Sequence, residues 1–287
     1  MTDTPVVYIH CITYNHERYI RQCLDGFVMQ QTNFKFVAIV HDDASTDHTA
    51  DIIREYAAQY PEIIHPILET ENQYSKRDGS LTRIMEEHTL KGKYVAMCEG
   101  DDYWTDPLKL QKQYDLMESH PEYSFCFHAH VNLYADGSKT EMRPTPTKPF
   151  YTIEDAILSG GGFMATSSTL YRSCYVREEG HPSFWVHCPI GDLPRMLFHA
   201  SKGNLGYIDE VMSVYRAGSA GSWNSRNSTW KVRRRHSQAI IRMYDAFDEY
   251  THHQYHHVIK RKKWLNAKGH WRRNLKLFLK SLSFRHR

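Results

Sequence analysis

The sequence predicts an α/β protein with a doubly wound, Rossmann-like mixed sheet, followed by a basic helical extension. Short β-branched runs alternate with segments of helical period through the first hundred residues, a pattern typical of βαβ units. Three of the predicted strands end in polar side chains, which is where open α/β sheets bind ligands. Residues 226–287 hold 17 Lys and Arg against 3 Asp and Glu, a net charge of +14. Because the whole chain carries +3, the first 225 residues carry −11.

The first half of the chain predicts four strands with three helices between them. Residues 16–31 carry apolar side chains three and four positions apart, which predicts an amphipathic helix, and Pro61 stops the second helix. The predicted strands are Val6–Thr13, Phe36–Val40, Ile63–Leu68 and Tyr94–Cys98, and the predicted helices are His16–Gln31, Thr49–Tyr60 and Gly79–Leu90.

The second half predicts a less regular alternation. Pro107 suits the first turn of a helix that runs to about His120, and Lys202-Gly203 is a typical helix end. The further predicted elements are a strand at Tyr123–Tyr134 before a hairpin turn, a loop at 144–149, a short helix from Thr152, a strand at Phe163–Tyr171, a helix at Ile190–Ser201, strands at Gly206–Ile208 and Met212–Tyr215, and helix from about 229 onward.

Composition indicates the setting of the protein. No run approaches the roughly 18 apolar residues of a membrane-spanning helix, and the N-terminus has no basic leader, so we expect a cytoplasmic protein. The six cysteines form no C-x-x-C pair and lie mostly in apolar runs, which favours reduced, buried thiols.

Two acidic segments follow predicted strands. Asp42-Asp43-Ala44-Ser45-Thr46-Asp47 follows the second strand, and Glu99-Gly100-Asp101-Asp102 follows the fourth. Six carboxylates at one sheet edge repel each other, so a cation is expected among them, most simply Mn²⁺ or Mg²⁺ with a diphosphate. Helix capping is an equal alternative for the first segment and a weaker one for the second.

Three segments together resemble family 2 glycosyltransferases of the GT-A fold, in the order and spacing of that family. They are Thr13-Tyr14-Asn15, His41–Asp47 and Tyr94–Leu110, and the resemblance covers about residues 5–225. It implies a GT-A catalytic domain over residues 1–225, with a nucleotide-sugar half to about 105 and an acceptor half over about 106–225. Residues 226–287 would then be a basic helical tail.

The resemblance also implies roles for the residues at the strand ends. Asp101 and Asp102 would hold the ribose and the metal. Glu99 stands where the family often has Asp, which leaves open which of the three acids touches the ion. Four residues are implied to line the pocket for the nucleotide base: Thr13, Tyr14, Asn15 and Asp43.

Two residues of the second half complete the implied site. Asp192 matches the family's acid at the start of a helix and would act as the general base toward the acceptor, although it could also cap that helix. Arg216 matches the family's closing strand and would bind the diphosphate, with a surface ion pair as the alternative. The small-residue segment 217–223 that follows could fold over the sugar donor as a lid.

The implied function is inverting transfer of a sugar from a nucleoside diphosphate sugar, most simply a UDP-sugar, to an acceptor hydroxyl. The acceptor would be lipid-linked or a glycan, in cell-surface polysaccharide or glycolipid assembly. A nucleotidyltransferase is an alternative, but residues 14–18 lack its glycine- and base-rich loop. A membrane-associated binding protein with a degenerate transferase fold is a second alternative, against which the acids at 43, 101, 102 and 192 argue.

The basic tail combines Lys and Arg clusters with Trp and Leu, which suits a helix on an anionic membrane surface. Packing on the catalytic domain is the alternative, and without a recognised module we expect no nucleic-acid binding. His252-His253 and His256-His257 have the i, i+4 spacing of metal ligands. We expect no carboxylate or cysteine to accompany these histidines, and therefore expect them to lie on a solvated helix face.

Overall fold

The computed structural model describes residues 4–186, 188, 190–218 and 230–268. Its strands are β1 Val7–Thr13, β2 Phe36–Asp42, β3 Ile64–Leu68, β4 Tyr94–Met97, β5 Tyr103–Trp104, β6 Tyr123–Tyr134, β7 Lys139–Met142, β8 Phe150–Tyr151, β9 Leu170–Arg172 and β10 Asn204–Ala217. They form one mixed sheet in the order β3-β2-β1-β4-β9-β6-β10-β5, while β7 pairs with β6 and β8 with β10.

Eleven helical segments lie in the described ranges. They are α1 Ile20–Val28, α2 Thr49–Gln59, α3 Gln73–Lys76, α4 Ser80–Thr89, α5 Lys109–Ser119, α6 Ile153–Ser159, α7 Cys174–Glu179, α8 Ser183–Val186, α9 Asp192–Ala200, α10 Trp230–Tyr250 and α11 over residues 256–268. None of these helices combines the length and the apolar character that crossing a membrane requires.

The sheet is doubly wound, as predicted, because helices cover both of its faces. Alternate residues of β1 divide between the faces: Val7, Ile9 and Cys11 pack with α1, α2 and α5, whereas Tyr8 packs with α4. The second face continues over β6 and β10, where α6, α9 and α10 cover it. Strands β1, β2, β3 and β4 run parallel, so their carboxyl ends meet at one edge.

Two predicted strand assignments in the second half are wrong. The predicted strand Phe163–Tyr171 is reduced to Leu170–Arg172, because Thr166–Ser168 forms a 3₁₀ turn. The Ser168 hydroxyl donates to the Ala165 carbonyl at 2.7 Å, a local bond that competes with strand pairing. The predicted strands Gly206–Ile208 and Met212–Tyr215 are one strand, β10, which stays paired with β6 through register shifts near Val211.

Part of the basic tail packs on the core. Three side chains of α10 and two of α11 are buried in the same apolar cluster as α6 and α9: Met243, Tyr244, Phe247, Val258 and Ile259. Lys262 of α11 donates from Nζ to the carbonyls of Leu158 and Ser159 at 2.7 and 3.0 Å, which satisfies the carboxyl end of α6. The domain boundary expected near residue 225 falls within 219–229, outside the described residues, and stays a prediction.

Lys109 is an unusual member of the core, because its side chain is fully buried at the start of α5. Its Nζ donates to Oε1 of Gln113 at 2.6 Å and lies 3.9 Å from the centroid of the Trp104 ring. Burial disfavours the ammonium and lowers the pKa of Lys109 to about 7. The Lys109 ammonium therefore loses its proton at a pH about three units lower in the folded protein than in the unfolded chain.

Lys109→Met is expected to remove a pH dependence of stability. Between pH 7 and 9 the unfolded chain keeps the Lys109 proton while the folded protein loses it, so the free energy of unfolding of the wild type rises with pH. Urea unfolding should show this rise to exceed that of Lys109→Met by roughly 2 kcal/mol. Lys112→Met, which removes a surface lysine of the same helix, should keep the wild-type slope. Equal slopes for the wild type and Lys109→Met would contradict this account.

Candidate active site

The loops after β1 and β2 are joined by hydrogen bonds, which fixes one wall of the site. Asn15 adopts a left-handed conformation with φ of 55°, which Asn tolerates better than most residues. Its N–H donates to the Ser45 hydroxyl, and its Oδ1 accepts from the Thr46 N–H, both at 2.8 Å. Ser45 in turn donates its N–H to Asp42 at 3.0 Å. Asn15 is therefore anchored by its backbone and its side chain, while Tyr14 beside it is exposed.

Asp43 lies behind this wall and is 2% exposed. Its Oδ1 accepts from the Gln73 N–H at 2.6 Å and its Oδ2 from the Tyr74 N–H at 3.1 Å, at the start of α3. Helix α3 thus provides two backbone donors that stabilise a buried carboxylate. Each oxygen keeps a second lone pair that can accept a further hydrogen bond. The predicted contact of Asp43 with a nucleotide base stays a prediction.

Thr13 ends β1 against the acidic loop. A Cβ at Gly100 would lie 2.7 Å from the Thr13 hydroxyl, so only glycine allows the two loops to approach this closely. The Thr13 hydroxyl is buried and accepts or donates no hydrogen bond within the described residues. The same absence holds for Nδ1 of His16, which would lie 3.1 Å from that added Cβ. Two unsatisfied polar atoms therefore meet beside Gly100, as expected at a ligand-binding surface.

The acidic loop 99–102 is held between three strands. The Gly100 N–H donates to the Ile12 carbonyl at 2.9 Å, which joins the loop to the end of β1. After the loop, β5 pairs antiparallel with β10 through Tyr103 and Trp104. The Trp104 indole donates to the Ser167 carbonyl at 2.8 Å in the core. These bonds fix the backbone on both sides of Asp101 and Asp102.

Arg216, near the end of β10, completes this support. Its N–H donates to Oδ1 of Asp102 at 2.9 Å, and its guanidinium donates to the Asp101 carbonyl and to the Gln22 side chain. The guanidinium carbon lies 4.8 Å and 4.7 Å from the ring centroids of Tyr19 and Tyr103. A cation between two aromatic faces is held in place by cation–π attraction. Arg216 is therefore adjacent to the acids, and its contact with a diphosphate stays a prediction.

Asp102 is the most constrained acid of the loop. Its side chain is fully buried, and its Oδ2 lies within hydrogen-bonding distance of no donor among the described residues, although the nearby Ser167 hydroxyl favours the charged form of the carboxyl. Burial, together with the charges of Asp101 and Glu99, raises the pKa of Asp102 well above its ordinary value. A divalent cation would offset this charge, and an unsatisfied carboxylate oxygen is the ligand type that Mn²⁺ and Mg²⁺ prefer. The residues present therefore fit such an ion.

Four acids act electrostatically on one side chain, that of Tyr215. Burial and then these carboxylates raise the pKa of its phenol to about 12; the four are Asp102, Glu99, Asp101 and Asp192. The structure thus brings Asp192, from the start of α9, to the acidic loop. Glu99 is exposed at the edge of the loop. Partial desolvation by its neighbours and the charges of Asp101 and Asp192 raise the pKa of Glu99 above its ordinary value, and Arg195 acts in the opposite direction.

Asp192 itself is half-buried and accepts the Leu193 N–H on Oδ1 at 2.8 Å. Gly191 is the N-cap of α9, so Asp192 is the first helical residue and does not cap the helix. Its Oδ2 is a separate acceptor, and its role as a base stays a prediction.

The sequence interpretation missed two residues of this site. His16 lies between the acid groups: burial lowers its pKa and Asp101 and Asp47 raise it, so that the net shift is downward. Arg195 follows Asp192 by three positions on α9, the spacing that places two side chains on one helix face. Its guanidinium lies 5.7 Å from the Trp185 ring centroid. The adjacency of His16 to Thr13-Tyr14-Asn15 and the Asp192-to-Arg195 spacing were the available signals.

Comparison with known proteins adds independent findings. The sequence model of the family described as "Glycosyl transferase family 2" matches residues 8–179. An uncharacterised protein of Mycobacterium tuberculosis is 39% identical over 227 residues, which are 77% of this chain and 63% of that protein. The chain therefore spans less than two thirds of the length of that relative.

Two further proteins are similar over most of the chain. TuaG of Bacillus subtilis, named as a glycosyltransferase of teichuronic acid biosynthesis, is 26% identical over 239 residues, 80% of this chain and 88% of TuaG. Among solved structures, residues 1–349 of S. aureus TarS in complex with UDP-GlcNAc superimpose with a TM-score of 0.60 at 15% identity, over 87% of this chain and 72% of that fragment. At that identity the likeness shows the shared fold, which is the predicted GT-A fold.

Proposed function

The chain belongs to glycosyl transferase family 2, and from that premise we propose that it is a metal-dependent, inverting glycosyltransferase. The donor would be a UDP-sugar, which is supported by the shared fold of TarS, a protein solved with UDP-GlcNAc. The acceptor would be a hydroxyl of a cell-surface polysaccharide or glycolipid, which is supported by the similarity to TuaG. The observation that carries the proposal is the buried, unsatisfied Asp102 among three further acids.

Asp101 and Asp102 would hold the ion, and Asp101 would also contact the ribose. When bound, Mn²⁺ or Mg²⁺ neutralises charge on the departing diphosphate. Arg216, Gly100 and β5 fix the backbone of the loop that carries these acids, which would hold the two carboxylates in place for the ion. Arg216 retains further N–H groups that can meet phosphate oxygens. Thr13, Tyr14, Asn15 and Asp43 would form the base side of the pocket.

Asp192 would act on the acceptor side. As the acceptor oxygen bonds to the sugar carbon, the bond from that carbon to the diphosphate oxygen breaks, and Asp192 takes the hydroxyl proton. Attack opposite the leaving group inverts the configuration at that carbon. Arg195, on the same helix face, is placed to keep the acid cluster partly neutral.

A panel of nucleotide sugars incubated with the protein and Mn²⁺ tests this function. We expect release of nucleoside diphosphate from at least one UDP-sugar, and loss of release when a chelator removes the metal. Release that is independent of metal, or release of inorganic pyrophosphate as a nucleotidyltransferase would give, would contradict the proposal.

The tail would place the enzyme at the inner face of the cell membrane. One side of α11 packs on the core, whereas Trp264 and Leu265 are 58% and 41% exposed among basic residues. Exposed Trp and Leu beside Lys and Arg are typical of helices on anionic membrane surfaces. Residues 269–287, which carry the rest of the predicted membrane pattern, lie outside the described residues. Flotation with anionic vesicles is the measurement that decides this point.

A further inference from the structure

The corner between α10 and α11 holds a cluster outside the site described above. The prediction that no carboxylate accompanies the histidine pairs is wrong, because Asp248 of α10 contacts two of the four histidines. Its Oδ2 lies 3.1 Å from Nδ1 of His253 and 2.7 Å from Nδ1 of His256. All three atoms lie within 4.8 Å of one another.

The chain reverses sharply to form this corner. His252 and His253 both adopt left-handed conformations, with φ of 50° and 61°, and the His253 N–H donates to the Asp248 carbonyl at 2.8 Å. Because the reversal folds α11 back toward the end of α10, residues five and eight positions apart meet at one carboxylate. The helical spacing of the histidines alone does not show this arrangement.

The core holds both sides of the corner. Phe247, immediately before Asp248, is fully buried, and Val258 and Ile259, just after His256, are 5% and 2% exposed. These anchors fix the positions from which the three polar side chains project. A trio that is held by the core loses little conformational freedom on binding a ligand.

The polar atoms of the corner are unevenly satisfied. Asp248 is 7% exposed as a residue, and its Oδ2 faces both imidazoles, whereas its Oδ1 is buried and accepts no hydrogen bond within the described part of the chain. The two histidine side chains are 65% and 62% exposed, so the trio opens to solvent on one side. A buried carboxylate whose Oδ2 faces two accessible imidazoles, and whose Oδ1 accepts no hydrogen bond from the described residues, combines the ligand types that bind Zn²⁺.

The geometry points to a zinc site at this corner, with Asp248, His253 and His256 as ligands and solvent in the remaining position. Two imidazoles and one carboxylate are ligands that Zn²⁺ accepts, with bonds of about 2.0–2.2 Å. Tetrahedral bonds of that length hold ligand atoms about 3.3 Å apart. Oδ2 of Asp248 already lies 3.1 and 2.7 Å from the two Nδ1 atoms, and all three ligand atoms lie within 4.8 Å of one another. The bound ion links the end of α10 to the start of α11 and fixes the tail against the core.

The test uses the full chain without an affinity tag, stripped with a chelator and titrated with ZnCl₂ by calorimetry. We expect the wild type to bind one more equivalent of Zn²⁺ than His253→Ala/His256→Ala. Ions bound at the acidic loop cancel in this comparison, because both proteins keep it. His252→Asn/His257→Ala removes the neighbouring pair of exposed histidines and should keep the wild-type stoichiometry; Asn is used at residue 252 because it tolerates the left-handed conformation there.

Two further measurements separate metal binding from a structural role. Asp248→Asn keeps an acceptor for the histidines but removes the carboxylate, and it should bind Zn²⁺ at least tenfold more weakly. Zn²⁺ should raise the melting temperature of the wild type and of the His252/His257 variant by several degrees, and of the other two variants much less. The assignment would be overturned if all four proteins bound the same number of Zn²⁺ ions. It would also be overturned if the His252/His257 variant lost as many Zn²⁺ ions as the His253/His256 variant.

Discussion

Asp102→Asn is expected to abolish metal-dependent sugar transfer while leaving the fold at least as stable as the wild type. Asn keeps the Oδ1 that accepts the Arg216 N–H, so the loop stays in place. It removes the charge at the unsatisfied Oδ2, which we propose as a metal ligand. The loss of charge stabilisation on the leaving group should lower kcat by on the order of 10³-fold, measured with the best UDP-sugar at saturating Mn²⁺.

The expected effect of Asp102→Asn on stability is opposite to its effect on activity. A buried carboxylate repelled by Asp101 and Glu99 has a raised pKa, so the folded wild type loses stability as the pH rises above the unfolded value. Asp102→Asn removes that loss and should unfold at an equal or higher urea concentration at pH 7.5 without metal.

Adding Mn²⁺ should stabilise the wild type and not the variant. Asp106→Asn, in the same segment but paired with Lys112 on the surface, should keep most of the activity. A less stable Asp102→Asn protein would show a purely structural role instead.

The sequence predicted the strand ends well because the pattern there is local. Val7–Thr13 and Phe36–Asp42 are largely buried, mostly apolar strands that end at polar residues, and parallel strands bring such ends together whatever surrounds them. The proximity of Asp192 to Glu99 followed only from the resemblance to a family, since ninety residues and a different helix separate them. Its electrostatic effect on Glu99 required the structure.

Other features depend on tertiary neighbours and could not be predicted from spacing. Lys109 reads as a surface residue of an amphipathic helix, but Trp104 and Gln113 enclose it in the core. The spacing of the histidines predicts a solvated helix face, but two left-handed residues reverse the chain between Asp248 and His256. The segment around Ser168 reads as a strand until its hydroxyls bond to nearby carbonyls. In each case a side-chain contact overrides the local pattern.

Asp192→Asn should lower kcat by about 10²–10⁴-fold with little change in the KM for the donor, because we propose that Asp192 removes the acceptor proton and does not bind the nucleotide. Asn is a matched replacement, since its Oδ1 still accepts the Leu193 N–H at the start of α9. The affinity for UDP should therefore stay at the wild-type level, measured by calorimetry with Mn²⁺ present.

Glu99→Gln is the decisive control, because Glu99 is the acid beside Asp192 that acts on the same side chain, Tyr215, and that we do not propose as a metal ligand. If Glu99 were the base, the activity would rise with pH as its carboxyl loses its proton and would disappear in Glu99→Gln. We expect Glu99→Gln to retain activity within about tenfold. A Glu99→Gln loss as large as that of Asp192→Asn, with normal UDP binding, would transfer the role of base from α9 to the acidic loop.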